Sequence, residues 1–138
     1  MIESVFRRDS VTAPRARSHP TLVIGDIAAL CLFAPLGLLS HDEGITAAAV
    51  ARNAGPIVVG WLAASVLLQT YAVGGGTARR RTVATWAVGV TAGVVLRGIL
   101  LGRSVGEAQV AFLLVTLSVT GVLLGAWRLL WARLARRR

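Results

Sequence analysis

Four stretches of apolar sequence, each roughly 20 residues long, constrain this chain more than any other feature. They cover residues 21–40, 54–73, 83–102 and 108–131, and the only charges within them are Asp26, Arg97 and Arg128. A helix rising about 1.5 Å per residue crosses a hydrocarbon core of about 30 Å in 20 residues. Backbone groups in lipid must find their hydrogen bonds inside the segment, which selects helix. Barrel strands would alternate apolar and polar residues, and these runs do not. The expected fold is all-α, a four-helix transmembrane bundle. At 138 residues, 55% of them hydrophobic, the chain has room for one such domain and too little charge to cover a soluble one.

The flanks of the runs set the expected orientation. Every basic residue is arginine. Arg7, Arg8, Arg15 and Arg17 precede the first run, Arg79, Arg80 and Arg81 separate the second from the third, and Arg128, Arg133, Arg136, Arg137 and Arg138 close the fourth. The two remaining loops carry only Arg52 and Arg103, beside Asp42, Glu43 and Glu107. Arginine-rich short loops stay cytoplasmic, so both termini are expected inside, in a multi-pass protein of the cytoplasmic (inner) membrane. Tyr71, Trp86, Trp127 and Trp131 then fall at the cytoplasmic ends of their helices and read as an aromatic belt at the headgroups. Residues 1–19 are expected to form a basic, disordered cytoplasmic tail, 20–132 the membrane domain, and 133–138 a second basic tail.

A net charge of +9 would suggest nucleic acid in a soluble protein. Here the arginines flank apolar runs, as membrane orientation requires, so no nucleic-acid partner is expected. The single cysteine, Cys31, lies within an apolar run and cannot form an intramolecular disulfide. No cofactor, metal or catalytic set is expected, because no Cys/His spacing, phosphate loop or nucleophile–base pair can be assembled. His41-Asp42-Glu43 is a weak metal candidate, read as a solvated polar turn because its residues are adjacent and no second histidine is near.

Asp26 and Arg97 are the sharpest candidate sites. Asp26 lies about six residues into the first run, roughly 9 Å from its inner edge. A bare carboxylate there costs at least about 2.5 kcal/mol unless partnered or neutral. A proton or cation site is one reading; pairing with an arginine, or hydration at the interface, is preferred because the site is shallow. Depth nominates Arg128 as the partner. Arg97 lies roughly 7 Å from the outer end of the third run, with Asp42, Glu43, Glu107, backbone carbonyls or lipid phosphate as expected partners. An anion or headgroup site is its functional alternative. The two charges are expected in separate clusters at opposite faces, not in one ion pair. Gly89/Gly93 and Gly121/Gly125 repeat every four residues and read as faces for close helix approach.

Several short motifs carry a family resemblance: Gly25-Asp26 with Phe33 and Gly37 ahead of Ser40-His41, Pro56 with Gly60-Trp61, Leu96-Arg97-Gly98 with Gly102-Arg103, Ala111-Phe112, and Trp127-Arg128. With these, the chain resembles an uncharacterised family of small four-helix prokaryotic membrane proteins known only as a domain of unknown function. The resemblance implies a fold but no activity. Small multidrug transporters also place a carboxylate in their first helix. This chain departs from them in using a shallower aspartate and in its strong charge bias.

The function expected from these features is non-enzymatic: a membrane protein that acts by assembly, as a homo-oligomer or as an accessory subunit of a larger complex. The alternative is a minimal transporter or channel using Asp26 and Arg97. Thin polar content in the second and fourth runs favours the first reading.

Overall fold

A computed structural model describes residues 20–40, 44–72, 78–103 and 106–137. His41, Asp42 and Glu43, and the tail 1–19, lie outside them. The described residues form four helices: α1 (Pro20–Ser40), α2 (Ala47–Leu67), α3 (Ala78–Leu100) and α4 (Glu107–Ala135). All four are long and apolar enough to cross a membrane.

Several boundaries differ from expectation; α3, for one, begins at Ala78 rather than at residue 83. The second helix was expected over 54–73, but it runs over Ala47–Leu67. It starts at Thr46, whose hydroxyl accepts a hydrogen bond from the Ala49 amide at 3.1 Å, and three alanines of high helix propensity follow. Pro56 sits inside the helix and is buried against α3. At the other end, α4 continues through Ala135, beyond the expected limit near residue 131.

The helices form a ring in chain order. α1 packs on α2 and α4, and α3 packs on α2 and α4, leaving α1–α3 and α2–α4 as the diagonals. Leu30, Ile57, Trp61, Val90 and Val94 fill the centre with almost no exposure. α2 and α3 make the tightest pair. A Cβ on Gly93 would lie 2.5 Å from the Ile57 Cα and 2.8 Å from the Pro56 carbonyl oxygen; one on Gly60 would lie 2.7 Å from the Gly93 nitrogen. Among apolar surroundings, helix association depends on such close backbone approach rather than on hydrophobic burial, and glycine permits it. The expected role of Gly89 and Gly93 is therefore met by α2. Gly121 lies beneath the Trp86 ring, whereas Gly125 has nothing within 4 Å and opens onto a groove.

Candidate functional site

Polar side chains gather at the two ends of the bundle. The arginine-rich end holds the start of α1, the turn after α2, the start of α3 and the end of α4. Asp26, fully buried, accepts hydrogen bonds from Arg128 Nε to Oδ1 at 3.2 Å and from Arg128 Nη2 to Oδ2 at 2.5 Å. This two-pronged approach is the strong geometry for a guanidinium on a carboxylate. The Tyr71 hydroxyl donates to Asp26 Oδ2 at 2.7 Å and accepts from Trp61 Nε1 at 2.9 Å. Arg128 Nη1 donates to Thr82 Oγ1 at 2.7 Å, and that hydroxyl donates in turn to the Ala78 carbonyl at 3.0 Å. One carboxylate thus ties all four helices into a connected, charge-balanced network.

Local backbone places Tyr71 there. α2 stops because Gln69 adopts φ +49°, a left-handed conformation that costs a non-glycine residue energy. The Thr70 amide then bonds back to the Ser65 carbonyl at 3.0 Å, and the chain folds under the bundle end. Tyr71 therefore lies beyond α2. Burial first, and its hydrogen bond to the Asp26 carboxylate second, push its pKa up from 10.0 to about 12, so the phenol stays protonated and donating.

The belt residues are engaged with protein. Trp86 Nε1 donates to Thr120 Oγ1 at 3.2 Å, linking α3 to α4. Trp127 Nε1 donates to the Leu22 carbonyl at 3.4 Å, and its ring fills the space where a Cβ on Gly25 would stand. Trp86 and Trp127 thus make helix–helix contacts in the half of the bundle nearer the arginine-rich end.

The opposite end is organised around Arg97, which is only 8% exposed. Its Nε and Nη2 both donate to Asn53 Oδ1, at 3.0 and 2.7 Å, and its guanidinium carbon stands 4.3 Å from the centroid of the Phe112 ring. Asn53 is held by its own bond from Nδ2 to the Ala49 carbonyl at 2.9 Å. Arg97 and Arg103 line a cavity of about 560 Å³, walled by Phe33, Phe112 and small residues of α1 and α4.

The expected pairing of Asp26 with Arg128 is present, and Asp26 and Arg97 stand in separate clusters at opposite ends. Asn53 and Phe112 were not expected as partners of Arg97, nor Tyr71 as a partner of Asp26. Placing the start of α2 at residue 54 left Asn53 outside the helix and stretched the helix across Tyr71. The signal that could have found both was Thr46 followed by alanines. His41, the fourth candidate residue, lies outside the described residues.

The model of a family described as "Protein of unknown function (DUF3054)" covers residues 23–131. No curated protein matches, and no solved structure matches.

Proposed function

The chain belongs to the DUF3054 family, and we propose from that premise and its geometry that it acts by assembly in a membrane, without catalysis of its own. It works as a homo-oligomer or as an accessory subunit of a larger membrane complex. The observation that carries this reading is the face of α4. That helix is the least buried of the four, with Thr116, Thr120 and Leu124 as its buried residues. Beside α3 it presents an apolar groove of about 340 Å³ lined by Trp86, Gly121 and Gly125. Glycine on an exposed helix face lets a further helix approach closely, and Gly125 is not used for that within the chain. Transport through Asp26 and Arg97 would need both charges on one path; their separation weighs for assembly.

Both termini lie in the cytoplasm of a cell with an inner membrane, on the arginine bias of the loops. The assembly reading is tested by coexpressing tagged and untagged copies and purifying in mild detergent. The untagged copy, or a stoichiometric companion subunit, should follow the tag, and Gly125→Leu should release it. A monomer without a companion, unchanged by Gly125→Leu, would overturn the reading.

A further inference from the structure

We propose that the arginine-rich end of the bundle selects anionic phospholipids, gathering their phosphate headgroups around Arg79 and Arg80 of α3 and around Arg133, Arg136 and Arg137 of α4 and the turn after it. The Arg128–Thr82 hydrogen bond of 2.7 Å holds the start of α3 against the last turns of α4, so the two sets of arginines share one rim. Each of these five side chains is exposed. Among the described residues the carboxylates are Asp26 and Glu107. Glu107 opens α4 at the other end, and Asp26 is fully buried and taken up by Arg128. Within the described residues, therefore, the rim carries positive charge with no carboxylate to balance it.

Position makes that charge unfavourable until an anion meets it. Arg79, Arg80 and Arg81 follow one another in the first turn of α3, with no acidic residue among them. The start of a helix is the positive end of its macrodipole, so cations there are repelled by the helix as well as by one another. Depth selects headgroups as the anion. α4 has 29 residues, about 43 Å at about 1.5 Å each, and outruns a hydrocarbon core of about 30 Å. Its last turns mix exposed Leu129, Leu130 and Leu134 with Arg133, and the Trp127 and Trp131 rings stand 6.2 Å apart among them. Leucine, tryptophan and arginine side by side suit the boundary between hydrocarbon and phosphate, where arginine keeps its stem in lipid and its charge among the headgroups. An acidic protein docking from water would answer the arginines but not the leucines between them.

The experiment places the purified full chain in lipid discs whose two leaflets have the same composition, so that orientation does not enter. One set of discs is phosphatidylcholine; the other is phosphatidylcholine mixed with phosphatidylglycerol. Thermal melting and mass spectrometry of the lipid retained through detergent extraction are the readouts. The variants are Arg79→Gln/Arg80→Gln and Arg136→Gln/Arg137→Gln, with Arg52→Gln/Arg103→Gln, exposed at the opposite end, as the control of equal charge. The wild type should melt higher with phosphatidylglycerol than without it, and should retain it in preference to phosphatidylcholine. Each rim variant should lower that preference about tenfold, and the control should keep it. Added salt should weaken the preference of the wild type. Arg79→Gln/Arg80→Gln should melt above the wild type in phosphatidylcholine alone and below it with phosphatidylglycerol, a crossing that a merely structural role would not give. Equal retention of the two lipids by the wild type, which would leave this end to an acidic protein, would overturn the proposal. So would an equal loss in the control, or an Arg79→Gln/Arg80→Gln protein whose rank against the wild type is the same in both lipids.

Discussion

The carboxylate of Asp26 receives three hydrogen bonds, two from Arg128 and one from Tyr71, and this makes a buried charge near the start of α1 tolerable. Removing one member strands the other. Asp26→Ala is expected to destabilise the protein by on the order of 3 kcal/mol, and Asp26→Ala/Arg128→Ala by clearly less than the sum of the single changes. Unfolding of the four proteins in detergent measures this, and additive losses would show the pair to be uncoupled. Tyr71 allows a second check because it is the only tyrosine. Its phenolate absorbance should titrate with a midpoint at about 12 rather than at 10.0. A raised phenol pKa means that the unfolded chain releases its proton before the folded one does. The stabilisation is whole below about pH 10 and declines as pH rises toward about 12. A midpoint at the ordinary value would remove Tyr71 from the Asp26 network. The Asp26–Arg128 pair was legible in the sequence because depth along two helices nominates partners. The share taken by Tyr71 and Asn53 was not, because it depends on where α2 begins and ends.

Helix existence was legible at the scale of elements because a run of about 20 apolar residues has few other solutions. The limits of α2 were not. Gly55-Pro56 looks like a boundary, yet Pro56 is accommodated one turn beyond the exposed Arg52 and packs against Gly93. At its other end, Gln69 bears left-handed strain that glycine would relieve. Gln69→Gly should be neutral or stabilising by up to about 1 kcal/mol, since relief of strain competes with the added freedom of the unfolded chain. A loss on thermal melting would mean that the Gln69 side chain makes a contact worth more than the strain. The two glycine faces should separate sharply. Gly93→Leu should cost at least about 2 kcal/mol, because the new side chain meets the α2 backbone, which cannot yield as a side chain does. Gly125→Leu should leave the unfolding of the single chain unchanged, since a Cβ there would meet no other part of the chain within 4 Å. The sequence repeats alone made these faces look equivalent; which of them meets a neighbour depends on helix rotation, which spacing does not specify.

At the scale of the whole molecule, the ring of four helices is fastened at one end by Asp26, Arg128, Tyr71 and Thr82, and at the other by Arg97, Asn53 and Phe112. Fastening at both ends suits a body that keeps its shape while its α4 face meets a neighbour. On the proposed topology the first cluster faces the cytoplasm. A reporter fused after Arg138 should be active only in the cytoplasm, and activity only outside it would invert the assignment of both clusters. The assembly claim is tested most directly by disulfide trapping in native membranes. Cys31 is the only cysteine, so Cys31→Ser with Gly125→Cys leaves one thiol, on the open groove of α4. Mild oxidation should trap this chain as a covalent dimer, or as an adduct with one companion subunit, while Cys31→Ser with a cysteine at exposed Val95 of α3 should not be trapped. A thiol at 125 that stays monomeric, or crosslinks no more than the one at 95, would contradict the account.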